Sequence, residues 1–134
     1  MKVLVDTSVW SLALRRDRQD GNPSVDFLGD ALQREGSIFT TGLILQELLQ
    51  GFSGPKARTQ ILDRFTALPL IVPQREDHIA AADLRNECRR RGLQIGTIDA
   101  LLAQLCIRHD LTILSTDRDF EHLARIAPLR LWKK

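Results

Sequence analysis

The sequence lacks any apolar run near the roughly 20 residues that a membrane-spanning helix requires. Its start, Met1-Lys2-Val3-Leu4-Val5-Asp6, meets charge before a secretory apolar segment could develop, so a cytosolic (cytoplasmic) protein is the expectation. Cysteine is scarce. Cys88 and Cys106 form neither a Cys-x-x-Cys pair nor a zinc-ligand spacing, and both fall on apolar sides of expected helices, which predicts reduced core residues. An excess of one charge is missing too: 19 basic residues stand against 17 acidic ones, a formal net charge of +2, so no global positive field announces a nucleic-acid binder. Basic residues gather only locally, in Arg15-Arg16-x-Arg18, in Arg89-Arg90-Arg91 and at Lys133-Lys134. Clustered arginines of this kind usually mark a solvated helix end, and those at 89 to 91 suit the negative end of a helix dipole; phosphate binding is their second reading. Repeats, low-complexity tracts and linkers are absent as well. A chain of 134 residues at 43% hydrophobic then suits one domain over residues 1–134, with one core.

The pattern along the chain alternates between two periods. Residues 2–6 are continuously apolar rather than alternating, which predicts a strand covered on both faces of a parallel sheet. A short helical turn over 9–14 follows. Asp20-Gly21-Asn22-Pro23-Ser24 reads as a loop that caps a helix carrying Val25, Leu28 and Leu32 and stopping at Gly36, before a strand over 38–41. Leu45, Leu48, Leu49 and Phe52 have the spacing of an amphipathic helix over 43–52, with Glu47 roughly opposite the stripe. Pro55 opens a helix to about residue 67, Leu70-Ile71-Val72 before Pro73 predicts a strand, and 75–91 a long helix ended by Gly92. Gly96-Thr97-Ile98-Asp99 opens the next helix, with Thr97 as N-cap, Ile98, Leu101, Leu102 and Leu105 as its buried stripe, and Asp99 in its first turn. A strand over 111–115, a helix over 118–125 and a strand over 129–131 complete an α/β order. The expected fold is a central parallel sheet of four to five strands with helices on both faces.

In such a sheet the functional crevice lies outside the carboxyl ends of the strands. Asp6 closes the first apolar run and Asp117 the fourth, while Glu47 and Asp99 sit in helices that can face the same side. Carboxylates gathered at buried strand ends suffer desolvation and mutual repulsion, and a divalent cation relieves both. Oxygen donors without His or Cys suit a hard cation, Mg²⁺ or Mn²⁺, and hence metal-assisted phosphate chemistry. Ordinary alternatives exist for each acid: a turn cap for Asp6, solvent exposure for Glu47, helix-dipole compensation for Asp99 and a turn for Asp117. His78, His109 and His122 are scattered, so surface or satisfied core is their first assignment. Trp10 and Trp132 read as core or dimer contacts, with RNA stacking as the minor alternative.

Four ordered segments carry a family resemblance: Val5-Asp6-Thr7-Ser8-Val9-Trp10, Leu45-Gln46-Glu47-Leu48 with Gly51, Thr97-Ile98-Asp99-Ala100-Leu101-Leu102-Ala103, and Leu114-Ser115-Thr116-Asp117-Arg118-Asp119-Phe120. Together they resemble the PIN-domain ribonucleases, and among those the small VapC-like toxins of type II toxin–antitoxin pairs, over essentially the whole chain. The resemblance implies an endoribonuclease that uses Mg²⁺ or Mn²⁺ and leaves 5′-phosphate and 3′-hydroxyl ends. It carries the catalytic positions over to Asp6, Glu47, Asp99 and Asp117, with Thr116 as a hydroxyl support; Asp119 either joins the site or faces solvent. Asp6, Asp99 and Asp117 are then the first choice as metal ligands, and Glu47 completes the shell or orients the attacking water. A homodimer and a cognate antitoxin that occludes the cleft, by offering a basic side chain to the acids, are implied in the same way. Three other readings compete. A haloacid-dehalogenase-like phosphatase would place a second Asp where Ser8 stands, and a receiver domain would place a Lys beyond a later strand, where Lys133-Lys134 fits poorly. A catalytically silent RNA-binding or protein-binding module of the same fold is the third.

Overall fold

The computed structural model of the protein describes residues 1–15 and 21–134, so Arg16, Arg18 and Asp20 of the sequence motifs lie outside the described residues. The elements run β1 (Val3–Val5), α1 (Thr7–Leu14), α2 (Pro23–Leu32), β2 (Ile38–Thr41), α3 (Gly42–Gly51), α4 (Pro55–Thr66), β3 (Leu70–Ile71), α5 (Arg75–Arg90), α6 (Thr97–His109), β4 (Thr112–Leu114), α7 (Asp119–Ala124) and β5 (Arg130–Leu131). Among the described residues five strands form one parallel sheet in the order β3-β2-β1-β4-β5. Val3, Leu4 and Val5 are all fully buried. Because successive side chains of a strand point to opposite faces, β1 must be covered on both sides, as its unbroken apolar run predicts. Val3 pairs with Ile38 on one side and Thr112 on the other. From β1 the chain builds outward to β2 and β3, then crosses back to β4, so the strand order reverses between β1 and β4. That reversal opens a crevice at the carboxyl ends of those two strands.

Local details depart from the sequence expectations in instructive ways. Gly96, not Thr97, is the N-cap of α6, and no side chain caps it. With the helix starting at Thr97, Ile98 is 37% exposed, and the buried face is Ala100, Leu101, Leu102, Ala103, Leu105 and Cys106. Helix α1 starts at Thr7, immediately after β1, rather than at residue 9. Helix α2 ends at Leu32, and Gly36 takes its positive φ of 81° in the turn that follows. In α3 the fully buried positions are Ile44 and Leu48, with Leu45, Leu49 and Phe52 half-buried at their flanks, since α3 packs against both α1 and α4.

Cys88 and Cys106 are buried and free, and burial pushes both thiols up, Cys106 also through the negative charge of Asp6. Arg90 and Arg91 pair with Glu87 on the exposed face at the end of α5, an ordinary solvated helix terminus. Trp10 is 3% exposed and tilts against Phe65 at 4.8 Å. No helix of the described residues is long and apolar enough to cross a membrane.

Helix α6 is held in place by α5. Asp77, 1% exposed, accepts two bonds from Arg108, at 2.6 and 2.9 Å, and a third from the Gln74 amide at 2.8 Å in a capping box. Burial alone would raise this carboxyl, but the Arg108 hydrogen bonds, the Gln74 amide and the charges of Arg108 and His109 together hold it below its ordinary value. An acid with a depressed folded-state pKa contributes stability above its unfolded pKa and loses it as pH falls through the folded one. Replacement Arg108→Ala strands a buried carboxylate, so denaturant unfolding at neutral pH should show a loss of about 2 kcal/mol, below the usual cost for fully buried pairs because Arg108 is partly exposed. The gap between native and variant should close as Asp77 is protonated at acid pH.

Candidate metal centre

The Asp6 carboxylate sits at the end of β1, 8% exposed, with its own amide bonded to the Leu114 carbonyl of β4 at 2.9 Å. It occupies the N-cap position of α1, yet its side chain caps nothing. Its Oδ2 instead accepts from two hydroxyls, Ser8 and Ser115, each at 2.8 Å. Those hydroxyl oxygens in turn accept the amide N–H groups of Thr116, at 3.1 Å to Ser8, and of Asp117, at 3.0 Å to Ser115. Each hydroxyl has one proton, and both are donated to the Asp6 carboxylate, so the 3.2 Å Ser8–Ser115 contact between oxygens carries none of its own. Asp6 Oδ1 has no hydrogen-bond partner among the described residues.

The other acids arrive from three directions. Asp117 follows β4, and its Oδ1 accepts the Asp119 amide at 2.9 Å, a turn that swings the chain into α7 and brings the Asp119 side chain back to the crevice. Asp99 lies in the first turn of α6. One carboxylate oxygen from each of Asp99, Asp117 and Asp119 can be found within 4.8 Å of the others. Glu47, on α3, is half-buried and accepts from Thr7 Oγ1 at 3.1 Å. Burial raises the Asp99 carboxyl, and the charges of Asp6, Asp117, Asp119 and Glu47 raise it further, to about 6. Among the described residues Asp99 has no hydrogen-bond or ion-pair partner to offset this.

The charges of Asp6, Glu47, Asp117 and Asp119 all bear on Asp99, but the acids whose oxygens gather within 4.8 Å of one another are Asp99, Asp117 and Asp119; Asp6 and Glu47 stand outside that group. Thr116 is exposed and contributes its backbone N–H to Ser8. The sequence reading passed over Ser8 and Ser115 as partners of Asp6. A signal for them was present: each hydroxyl stands two residues from a strand-end aspartate, Asp6-x-Ser8 and Ser115-x-Asp117. The donor set fits a hard divalent cation. It is all oxygen and it is repulsive without a counter-charge. Its 4.8 Å spread is only slightly wider than the roughly 3–4 Å between oxygens around Mg²⁺ bonded at about 2.1 Å.

An acid whose folded pKa lies above the ordinary 3.8 costs stability as pH rises through the window from there to about 6. In metal-free buffer at about pH 7.5, Asp99→Asn should accordingly melt higher than the native chain, and the difference should fade below about pH 4, where both side chains are neutral. Equal melting profiles across that range would contradict the assigned repulsion.

Comparison with known proteins agrees with this geometry. The family model described as "PIN domain" matches residues 3–126. The chain is 32% identical over 131 residues to Ribonuclease VapC11 of Mycobacterium tuberculosis, covering 96% of each chain. Among solved structures, VapBC2 from Rickettsia felis, described as bound to a DNA fragment from its promoter, superposes with a TM-score of 0.73 at 23% identity, covering 99% of this chain and 100% of the other. VapC20 of Mycobacterium tuberculosis, described as a Sarcin-Ricin loop cleaving toxin, gives a TM-score of 0.69 at 16% identity over 90% of this chain and 94% of its own. These last two likenesses concern the fold. With the family model spanning nearly the whole chain and the acids converging where that fold opens its crevice, the protein belongs to the PIN-domain family.

Proposed function

We propose that the protein is a divalent-metal-dependent endoribonuclease, the toxin of a toxin–antitoxin pair acting in the cytoplasm. The observation that carries this reading is Asp99: a half-buried carboxyl facing four other acids with no cation beside it among the described residues. Such a site is costly to maintain for structural reasons alone, which favours a role that needs concentrated negative charge. The acids there would hold Mg²⁺ or Mn²⁺, which when bound would supply Lewis acidity toward a phosphate oxygen and make water a better nucleophile.

The chain's own residues divide the work. Asp99 and Asp117 would hold the metal with Asp6 as third ligand, and Asp119, which brings an oxygen within 4.8 Å of Asp99 and Asp117, would be a further donor. Ser8 and Ser115 occupy one oxygen of Asp6 and so fix the direction of the other. Glu47, oriented by Thr7, completes the shell or positions the attacking water. Thr116 sits at the rim as a hydroxyl for substrate or shell water. Hydrolysis by attack of water on phosphorus, with the O3′ side departing, leaves 5′-phosphate and 3′-hydroxyl ends. An antitoxin protein that covers the crevice belongs to the same proposal, supported by solved neighbours described as VapBC2, VapBC-1 and VapBC; a homodimer is proposed with it from the family resemblance alone. A phosphatase of the haloacid-dehalogenase type is disfavoured, because Ser8 is engaged as a donor to Asp6 where that chemistry would want a second acid.

Asp6→Asn and Asp99→Asn should each lower Mn²⁺-dependent cleavage of single-stranded RNA by more than about a hundredfold, exceeding the 10–100-fold typical of residues that merely support a ligand. Inducible expression should arrest growth for the native chain and not for either variant; arrest by all three would favour a silent binding module. Mn²⁺ at a hundred times its Kd should stabilise the native chain by about 2.7 kcal/mol, read as a higher melting temperature, and leave Asp99→Asn nearly unmoved. The double replacement of Ser8 and Ser115 by Ala should weaken Mn²⁺ binding by about 10–100-fold, with threonine at either position restoring part of it. Unchanged calorimetric affinity would remove the two serines from the site.

A further inference from the structure

We propose that the cleft between the carboxyl ends of β4 and β5 is a subsite for one nucleobase of single-stranded RNA, with Trp132 as its aromatic wall and Lys133 taking the adjoining phosphate. The inference rests on the RNA reading above and adds to it a place for substrate outside the acids. Strands β4 and β5 are parallel, with Ile113 opposite Leu131, and the Trp132 amide continues the ladder to the Ile113 carbonyl at 2.9 Å. Residues 132 and 133 therefore leave the sheet on the same side as Ser115, Thr116 and Asp117. A cavity of about 180 Å³ lies between the two segments. Thr116 and Asp117 after β4, Trp132 and Lys133 after β5, Ser24 from the start of α2 and Glu121 from α7 all line it.

Its size and chemistry select the occupant. The cavity is smaller than the roughly 300–1,000 Å³ that drug-sized ligands fill, which suits a single planar base. Trp132 is half-buried and packs against Phe27, with ring centroids 4.9 Å apart, a contact that limits the freedom the indole must lose when a ligand arrives. Bases of single-stranded RNA are recognised by stacking on such rings together with polar groups at their edges, and Ser24 and Glu121 offer an acceptor and donor set of that kind. Lys133 is exposed and forms no ion pair among the described residues. Beside a crevice of carboxylates that repels a polyanion, a free ammonium has a clear use in holding the backbone. Asp117 lines both the cavity and the acidic cluster, so a base seated here keeps its neighbouring phosphodiester close to the acids.

The chain has two tryptophans and no tyrosine, and Trp10 is buried elsewhere, so emission lost on replacing Trp132 by Phe isolates the signal of Trp132. A labelled single-stranded oligoribonucleotide is titrated into the full chain carrying Asp99→Asn, in Mg²⁺, with and without Trp132→Phe; polarisation reports binding and the emission difference reports the cleft. Saturable quenching of the Trp132 component is expected. In the otherwise native chain, Trp132→Ala should raise KM for RNA cleavage by about tenfold, with the loss falling on KM rather than kcat. Lys133→Ala should reduce the slope of log affinity against log salt by about 0.7, one phosphate contact on a single strand. RNA seen to bind by polarisation while the Trp132 component stays constant overturns the subsite, as does quenching by an antitoxin peptide and not by RNA. Cleavage by the native chain without quenching removes the subsite and leaves the nuclease reading standing. Quenching without cleavage removes the nuclease reading and keeps the subsite, and absence of both removes the two together.

Discussion

Mutual repulsion among carboxylates at the open end of the β1–β4 pair is the constraint on which the rest of this structure depends. Asp6 reaches that position because β1 is buried on both faces and must end where the sheet ends. Asp99 reaches it because α6 begins there, its far end secured by Arg108 on Asp77. Hydrophobic burial and one well-bonded ion pair thus hold together groups that would separate in water. The repulsion is concentrated on Asp99, whereas Asp6 is supplied with two hydroxyl donors backed by backbone amides. Family membership and geometry point the same way here: the PIN-domain match runs through every segment that contributes an acid.

Much of this was legible in the amino-acid order. Apolar runs mark β1 and β4, and the acids that follow them are visible as candidates because a charge closing a buried strand needs a reason. The helix of Asp99 was legible from Gly96 and the leucines that follow. Its cap was read one residue late, because Thr97 is the better capping residue by type while the backbone places Gly96 there without any side-chain bond. Ile98 followed that error, since a small rotation of the helix decides which of its apolar residues meets the core.

What stayed hidden depends on contacts between distant segments. Glu47 stands opposite an apolar stripe, and periodicity assigns it to solvent; only the meeting of α3 with the start of α1, 40 residues earlier, gives it Thr7 as a partner. Asp119 looked free to face water, and it is the Asp117 carboxylate accepting its amide that turns it inward. The serines near Asp6 and Asp117 are ambiguous for a related reason: serine and aspartate both make local hydrogen bonds in plain turns.

The Ser8–Ser115 contact joins residues separated by 107 positions, and Asp6 meets Ser115 across 109. A ribosome must therefore have released every residue from Asp6 to Ser115 before these atoms can meet. Any product truncated ahead of β4 lacks Ser115, Asp117 and Asp119 together, and leaves Asp6 without one of its two hydroxyl donors.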